Sequence, residues 1–346
     1  MGPQQQFVRT AEGRKTELPR VLVAGGAGYV GSALVPALLR AGYPVTVLDL
    51  YLYGAQALAE VRNHQGLREV QGDLRDGAAV QRALQDCKAV IHLACISNDP
   101  SFELNPNLGR SINYDAFRPL VRAAKEVGVE RFIYASSSSV YGVKEDPEVT
   151  EALPLEPLTD YSKYKALCED VLDEERCSGF TTVVLRPSTV CGYAPRLRLD
   201  VVVNILTNHA AHNRRIRVFG GSQMRPNIHI SDMVDAYLHV LEQPAQAIDG
   251  EVFNVGYDNF TVMELAETVR QAVDAEIPIE VVPTDDIRSY HVSSEKIRSR
   301  LSFFPKKTVA DAVQDLLQAF DQNKVSEPLT NSLYFNLKRM QEYNLR

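Results

Sequence analysis

Short, largely apolar runs alternate with amphipathic stretches along the first half of the chain. Runs of this kind lie at residues 21–24, 45–48, 67–72, 89–95 and 131–135. Their length predicts strands that are mostly buried. Between them, the segments 32–39, 77–85 and 108–126 are predicted to be helices. Strands that alternate with helices indicate an α/β fold built on a doubly wound, parallel Rossmann sheet.

The regular alternation ends near Thr189. Beyond it, amphipathic helices are predicted at 201–211, 261–275 and 309–320, which indicates a second, smaller α/β substrate domain at the C-terminal side. A predicted strand at 252–255 is expected to return to the large sheet. The predicted units are a disordered extension (1–19), a nucleotide-binding Rossmann domain (20–188), a substrate domain (189–322) interleaved with it near 226–258, and a polar C-terminal tail (323–346).

Composition and charge exclude several functional classes. The chain of 346 residues is 45% hydrophobic with a net charge of −7, and it contains no basic cluster typical of nucleic-acid binding. No apolar run approaches the ~20 residues of a membrane span. Residues 1–19 are polar and lack the apolar core of a secretory signal, so we expect a cytoplasmic protein. The five cysteines are scattered without a Cys-x-x-Cys pair, which indicates reduced thiols and no metal site.

A glycine turn, GGAGYVG, joins the first strand to the first helix. Gly25 permits the tight turn, Gly28 lets the backbone approach a pyrophosphate, and Gly31 permits close packing of the helix on the sheet. The helix N-terminus then attracts the phosphates. Asp49 ends the second strand, where its carboxylate accepts hydrogen bonds from ribose hydroxyls and repels a 2′-phosphate. The pattern predicts binding of NAD rather than NADP.

Further candidates follow the next two strands. Asp73 lies past a strand end, at the edge where ligands bind, and is a candidate for the adenine amino group. The alternative, an N-cap for the helix at 77–85, stays open. The small residues at 94–95 leave room for a cofactor. Cys95 either lines the cofactor pocket or packs as a small buried side chain. His92 is expected to pack in the core, because strand alternation turns it away from the strand end.

Tyr161 and Lys165 are the strongest catalytic candidates. They are four residues apart, so they share one face of the predicted helix. An ammonium beside a phenol is expected to lower the phenol pKa from about 10 toward neutrality. Such a tyrosine takes a proton from a substrate hydroxyl while hydride leaves the same carbon. A serine of the preceding run 136–139 would orient the substrate oxygen.

These motifs together resemble the extended short-chain dehydrogenases/reductases of the nucleotide-sugar epimerase/dehydratase type. The similarity spans roughly residues 20–320 and rests on GGAGYVG, Asp49, GDLRD, HLAC, Asn113, SSSSVYG, YSKYK, LRPSTVCG, RPNIHISDMV and LSFFP. It implies Ser137, Tyr161 and Lys165 as catalytic residues. It also implies a cofactor site comprising Gly25, Gly28, Tyr29, Val30, Gly31, Asp49, Asp73, Leu74, Leu93, Ala94, Asn113, Tyr161, Lys165 and Pro187. An exposed position on the helix surface is the alternative for Asn113.

Two departures from the family pattern narrow the activity. Sugar-nucleotide 4,6-dehydratases carry Asp-Glu directly after the catalytic residue, whereas this chain has Ser138 and Ser139, which argues against a 4,6-dehydratase. Thr189 replaces an asparagine that usually helps to hold the substrate diphosphate, so the substrate contacts are expected to differ.

The substrate site is predicted from the same resemblance. Arg225 and Arg288 match arginines that contact the nucleotide diphosphate, and two guanidinium forks recognise such a group specifically. The alternative for each is a surface salt bridge. Arg196 and Arg198 either meet a phosphate or are solvated charges. Ser138, Thr189, Asp200 and Val201 are expected to line the substrate pocket.

The resulting hypothesis is an NAD-dependent nucleotide-sugar epimerase that acts through a transient 4-keto sugar. An alternative is a 4-dehydrogenase that releases the keto sugar, because the segment PRLRLDVVVN is similar to bacterial surface-polysaccharide enzymes that include GDP-heptose 4-dehydrogenases. Non-sugar alcohol dehydrogenation and a non-catalytic dinucleotide sensor are further alternatives. The resemblance also implies a homodimer that pairs the helices carrying Asn113 and Tyr161.

Overall fold

A computed structural model describes residues 18–285, 289 and 291–343 of the chain. In chain order, its strands are β1 (Arg20–Ala24), β2 (Val45–Asp49), β3 (Leu67–Gln71), β4 (Cys87–His92), β5 (Arg131–Ala135), β6 (Thr181–Pro187), β7 (Thr189–Cys191), β8 (Ile216–Phe219), β9 (Met224–His229), β10 (Glu251–Val255), β11 (Asp258–Thr261) and β12 (Ile279–Val282).

Helices connect these strands. They are α1 (Tyr29–Arg40), α2 (Gly77–Leu84), α3 (Asp99–Glu103), α4 (Pro106–Arg110), α5 (Phe117–Glu126), α6 (Asp160–Glu174), α7 (Val202–Asn213), α8 (Ile230–Glu242), α9 (Ala245–Ile248), α10 (Val262–Val273), α11 (Glu295–Leu301), α12 (Val309–Asp321) and α13 (Asn336–Tyr343). None of these described helices is long and apolar enough to cross a membrane.

The predicted doubly wound sheet is confirmed. Seven strands pair in the order β10-β6-β5-β4-β1-β2-β3, all parallel. Strand β1 lies inside the sheet, and β2 and β3 follow it toward one edge. The chain then crosses back to β4, which pairs with the other side of β1, and β5, β6 and β10 continue toward the opposite edge. This reversal opens a crevice at the carboxyl ends of β1 and β4, which is where such sheets bind ligands. Strand β10 returns to pair with β6, as expected for residues 252–255.

Alternating side chains divide the core into two layers. Val21 and Val23 point to the face covered by α1 and α8, whereas Leu22 between them points to the face covered by α2, α5 and α6. Because successive strand residues face opposite sides, a sheet buried on both faces needs apolar residues at nearly every position. This requirement explains the continuous apolar runs of the sequence.

The predicted helix over 108–126 is interrupted. Helix α4 ends at Arg110, a π-helical turn occupies Ser111–Asp115, and α5 follows. Turns of this kind insert one extra residue per turn and are frequent at functional sites. The turn holds Asn113, which the sequence placed among the site residues.

A smaller unit forms on the remaining residues. It contains a three-stranded sheet, β11-β9-β7, and a two-stranded sheet, β12-β8. Helices α7, α10 and α12 pack around a shared apolar core that includes Val203, Leu265 and Val313. The domain boundaries at 188 and 322 stay a prediction, since β10 of the large sheet lies between elements of the small unit.

The expectation of a polar tail past residue 322 is wrong for the described part of that segment. Val325, Asn336 and Met340 are buried, and α13 packs against α3. Met340 joins an apolar cluster with Leu52 and Phe102 of the large domain. The isolated sequence of α13 looks polar because only one side of this short helix is covered.

Candidate active site

A cavity of about 470 Å³ lies at the carboxyl ends of the large sheet's central strands. It runs from the glycine turn after β1 to the start of α6 and is bounded by the small unit. Most of the predicted site residues line it: Gly25, Gly28, Tyr29, Val30, Gly31, Asp49, Asp73, Leu74, Leu93, Ala94, Ser137, Ser138, Tyr161, Lys165, Pro187, Thr189, Arg196, Asp200, Val201 and Arg225. Arg288 lies outside the described residues.

The glycine turn is closely packed. Gly25 has φ +86°, and a Cβ there would lie 2.6 Å from the Ala94 nitrogen. A Cβ on Gly31 would collide with the Gly25 carbonyl oxygen. The absence of a side chain at Gly31 therefore permits the close packing of α1 on the turn, and not on the sheet. The contact with the sheet belongs to Gly26, whose Cβ would lie 2.7 Å from the Val47 side chain.

The first turn of α1 is available to a phosphate. Gly28 is the N-cap, and no described side chain caps the helix. A Cβ on Gly28 would meet only the Gly25 carbonyl oxygen, at 3.2 Å, and otherwise would project into open space. Uncapped N–H groups beside an open space fit the diphosphate of a dinucleotide.

Asp49 fits the ribose position expected for it. Its carboxylate lines the cavity and accepts hydrogen bonds from the backbone N–H groups of Ala27, at 2.9 Å, and Tyr51, at 2.8 Å. Burial raises the pKa of Asp49, while these two donors act to lower it. The carboxylate is thereby tied to the glycine turn, which orients it toward a ligand seated there.

The two alternatives for Asp73 are now separated. Asp76, not Asp73, is the N-cap of α2, because its side chain accepts from the Ala78 N–H. Asp73 lines the cavity and pairs with Arg75 at 2.7 Å. Burial acts to raise the pKa of Asp73, but the hydrogen bonds from Arg75 outweigh it and the pKa is lowered. The N-cap interpretation is wrong, and Asp73 stays a candidate for the adenine.

The catalytic candidates meet where β5 ends and α6 begins. A capping box between Thr159 and Ser162 starts α6 next to Tyr161. Lys165 is buried, and its Nζ donates to the Ala135 carbonyl oxygen at 2.6 Å while lying 6.0 Å from the centre of the Tyr161 ring. Ser137 follows β5 directly and faces the same cavity.

The predicted lowering of the Tyr161 pKa by Lys165 is wrong for the protein alone. Burial raises the pKa of Tyr161 well above its ordinary value, and the Cys95 and Asp99 groups raise it further. Arg198 and a hydrogen bond with Ser137 act in the opposite direction. The Lys165 ammonium donates to the Ala135 carbonyl oxygen and lies over the ring of Tyr134, 5.0 Å from its centre.

His92 and Asn113 lie behind the cavity wall. His92 is buried beside the rings of Phe117 and Tyr134, and burial lowers its pKa to about 3, as expected of a core histidine. Asn113 is also buried, so an exposed position is wrong. Its amide accepts from the Ile96 N–H at 2.8 Å and donates to the Ile96 carbonyl at 3.0 Å. It therefore holds the loop after β4 and is not among the cavity-lining residues.

The basic loop at 195–200 is buried rather than solvated. Arg198 pairs with Asp200 at 2.8 Å, and both side chains line the cavity. The guanidinium carbon of Arg196 lies 3.6 Å from the centre of the Tyr53 ring. Arg225, on β9, donates to the Met224 carbonyl oxygen. The cavity thus has three described arginines on the side of the small unit.

Sequence reasoning missed several lining residues. The loop after β4 supplies Ser97, Asn98 and Asp99, and α13 supplies Asn336 and Met340. The Asn-Asp-Pro pattern at 98–100 signals a helix start, which it is, since Asn98 caps α3. No local pattern marks Asn336, because its position depends on how the end of the chain packs. No described residues form a cluster of three or more acidic, His or Cys groups placed to hold a metal ion.

Known families and proteins match the chain over most of its length. Residues 21–256 match the model described as the NAD dependent epimerase/dehydratase family. A UDP-glucose 4-epimerase of Lactobacillus helveticus is 27% identical over 317 residues, covering 85% of this chain and 94% of that protein. A dTDP-D-glucose 4,6-dehydratase of Mus musculus is 31% identical over 329 residues, covering 88% and 89%.

Solved structures agree with this similarity. The dTDP-glucose 4,6-dehydratase DesIV from Streptomyces venezuelae, with NAD and TYD bound, superimposes with a TM-score of 0.80 at 26% identity. The match covers 90% of this chain and all of DesIV. The relatives named here thus include a UDP-glucose 4-epimerase and dTDP-glucose 4,6-dehydratases.

Proposed function

The chain belongs to the NAD-dependent epimerase/dehydratase family, and from this premise we propose that it is a nucleotide-sugar epimerase acting through a transient 4-keto sugar. The observation that carries the proposal is the juxtaposition of Ser137, Tyr161 and Lys165 at one end of the cofactor cavity, without an acid–base pair after Ser137. A sensor that only binds a dinucleotide has no use for this triad.

The cofactor is NAD, and the described residues fit it. The glycine turn and the N-terminus of α1 would hold the diphosphate, and Asp49 would hold the adenosine ribose. Bound NAD supplies the hydride acceptor and a positive charge next to the site of reaction. Such a charge would favour the phenolate of Tyr161, which burial alone disfavours.

Tyr161 is the proposed base. It takes the proton from the sugar hydroxyl while hydride leaves the same carbon, so that a ketone remains. Ser137 donates a hydrogen bond to the developing ketone oxygen, and Lys165 holds the β5 end against α6. After the ketone turns its other face, hydride returns and Tyr161 gives the proton back. The sugar is inverted at one carbon, and no net oxidation occurs.

The residues after Ser137 favour epimerisation over dehydration. Loss of water from a 4-keto sugar needs a base at one carbon and an acid at the leaving hydroxyl. Here Ser138 is buried, and the Ser139 hydroxyl is bonded to that of Ser137 at 2.8 Å. Neither group ionises near neutral pH. The relatives include both activities, so this local chemistry supports the choice.

The second candidate is a dehydrogenase that releases the keto sugar. The segment 195–204 favours it by its similarity to GDP-heptose 4-dehydrogenases, and five of its residues line the cavity: Arg196, Arg198, Asp200, Val201 and Val202. The diphosphate contacts of Arg225 and Arg288, the nucleotide base and a homodimer remain predictions.

One experiment separates these functions. The purified protein is incubated with UDP-, GDP-, CDP- and dTDP-sugars, while the absorbance of reduced nicotinamide is followed and the products are chromatographed. An isomer of the substrate without net NADH supports the epimerase. A keto sugar with stoichiometric NADH supports the dehydrogenase, and an unsaturated or deoxy keto product would mean that dehydration occurs after all.

The Tyr161→Phe variant tests the proposed base. We expect turnover to fall by about 10²–10⁴-fold, because the proton acceptor is lost, while NAD stays bound. Tyr164→Phe is the matched control, since Tyr164 lies on the same helix and is not among the cavity-lining residues. Equal turnover in Tyr161→Phe and wild type would contradict the assignment.

A further inference from the structure

The end of the described chain is bonded across one side of the cavity. We call residues 331–343 the strap. Asn336 donates its backbone N–H to Asp200 at 2.8 Å and its side-chain amide to Ser97 at 2.9 Å. Arg339 donates to the Leu52 carbonyl oxygen at 2.6 Å. The strap therefore joins three loops that border the cavity, those after β2, after β4 and before α7.

Beneath the strap lies a buried cation with incomplete hydrogen bonding. Arg196 is 4% exposed, and one of its terminal nitrogens donates to the side-chain oxygen of Asn336. Across the described ranges of the chain, its Nε has no hydrogen-bond partner. Burial lowers the pKa of Arg196 to about 10. Buried arginine is normally paired with an anion, so this side chain is suited to an anionic ligand in the cavity it lines.

The position of Arg196 indicates which anion it meets. Its backbone N–H donates to the hydroxyl of Ser32 in α1 at 3.1 Å, its guanidinium stacks on Tyr53, and its charge acts on Asp49. Ser32 lies one turn along α1 from its N-cap Gly28, where the phosphates are proposed to bind, and Asp49 is the proposed ribose contact. Arg198, two residues later, also acts on Tyr53, and it acts in addition on Tyr161 at the catalytic end. Arg196 is thus the arginine of this loop whose charge acts on Asp49.

We propose that Arg196, oriented by Asn336, binds the diphosphate of the dinucleotide cofactor, and that the strap thereby retards release of the bound cofactor. This assignment moves Arg196 from the substrate residues to the cofactor residues. A planar guanidinium matches two phosphate oxygens at once, and the stacked Tyr53 ring keeps its plane fixed. The inference depends on NAD binding and not on whether the enzyme is an epimerase.

The test measures cofactor release. Full-length wild type, Arg196→Met, Arg196→Lys and Asn336→Ala are loaded with isotopically labelled NAD and chased with unlabelled NAD. We expect Arg196→Met to release NAD about tenfold faster or more, since a charge-assisted hydrogen bond is lost. Arg196→Lys should be intermediate, because it keeps the charge without the fork. Lys338→Ala, on the exposed side of α13, is the matched control and should release NAD at the wild-type rate.

Two further measurements make the proposal falsifiable. ADP-ribose should bind more weakly to Arg196→Met than to wild type, whereas adenosine should bind equally to both. The double variant Arg196→Met/Asn336→Ala should release NAD more slowly than the product of the two single-variant increases in release rate would give. The reason is that Asn336 acts partly through Arg196.

Unchanged NAD release in a folded Arg196→Met variant would overturn the proposal. So would weaker binding of UDP or GDP with unchanged binding of ADP-ribose, since that result would assign Arg196 to the substrate. Should Arg196→Met fail to fold, Arg196→Lys and Asn336→Ala still decide the question, because unaltered release in both excludes the role of the strap.

Discussion

Tyr161 is subject to opposing influences on its acidity. Burial and the neighbouring Cys95 and Asp99 raise its pKa, while Arg198 and Ser137 lower it. The phenol is therefore neutral in the protein alone. Its activation depends on charges that arrive with the ligands, which would keep a strong base from forming before the site is filled.

His92 provides a pH test at the residue scale. Its folded pKa of about 3 lies below the ordinary 6.5. The neutral ring therefore contributes stability above pH 6.5, and this contribution is lost as the pH falls from 6.5 toward 3, since the unfolded chain binds the proton first. We expect the unfolding temperature of wild type to fall more steeply between pH 7 and pH 5 than that of His92→Phe.

Thermal unfolding followed by circular dichroism at several pH values measures this difference. His212→Phe is the control, because His212 is exposed at the end of α7. In this variant the unfolding temperature should fall with pH as steeply as in wild type. If the unfolding temperatures of wild type and His92→Phe fell equally steeply between pH 7 and pH 5, the assignment of this acid sensitivity to His92 would be contradicted.

At the scale of elements, the glycine turn shows how local motif and packing combine. The motif predicted a nucleotide site after β1, and the cavity lies there. The individual roles differ from the expectation, since Gly26 contacts the sheet and Gly31 contacts the turn. Spacing along the sequence identifies the turn, but the backbone path decides which glycine faces which neighbour.

Gly31→Ala should therefore impair NAD binding. The added Cβ would collide with the Gly25 carbonyl oxygen and the Gly26 backbone, which cannot move without displacing the turn. We expect at least a tenfold loss of NAD affinity, measured by calorimetry. Gly77→Ala at the start of α2 is the control, because a Cβ there meets no atom within 4 Å. Equal affinity in both variants would argue against a rigid turn.

The π-helical turn at Ser111–Asp115 is a second element whose conformation differs from the sequence prediction. The helical pattern predicted one helix and gave no sign of the extra residue. The Asn113 side chain is hydrogen-bonded to the backbone of Ile96, so an amide that the resemblance assigns to the cofactor site positions the loop that carries Ser97 and Asp99. Its influence on the site is indirect.

At the scale of the whole molecule, a buried polar network connects the second half of the large sheet. Glu169 of α6 pairs with Arg186 of β6 at 2.6 Å, and both side chains are buried. Arg186 also donates to the Tyr141 hydroxyl, which donates to Asn254 of β10, each at 2.7 Å. Helix α6, which carries Tyr161 and Lys165, is thus connected to β10, the strand that returns from the small unit.

Glu169→Ala should lower the free energy of unfolding by about 3–5 kcal/mol, because it leaves the buried Arg186 cation without its anion. Denaturant unfolding measures the loss. Asp173→Ala on the same helix is the control, since Asp173 is an exposed residue paired with the largely exposed Arg176, and such pairs contribute about 1 kcal/mol or less. A loss of the same small size for Glu169→Ala would mean that Arg186 finds other partners.

Much of the fold and the cofactor half of the site could be predicted from the sequence. Apolar runs, the glycine turn and Asp49 lie within 30 residues of one another in the chain, so their spacing already implies their geometry. The pair Tyr161 and Lys165 is likewise one helical turn apart. Short-range chemistry of this kind is encoded in adjacent positions, and the structure places these residues around one cavity.

Only the tertiary structure decided how distant segments share the site. The contact of Arg196 with Asn336 joins residues 140 positions apart, and that of Ser97 with Asn336 joins residues 239 apart. The sequence by itself determined the sheet, the turn and the closeness of Tyr161 and Lys165, because these depend on local periodicity and spacing. Packing of the chain end determined which polar groups are buried together and how burial alters their acidity, because both depend on neighbours that no local pattern specifies.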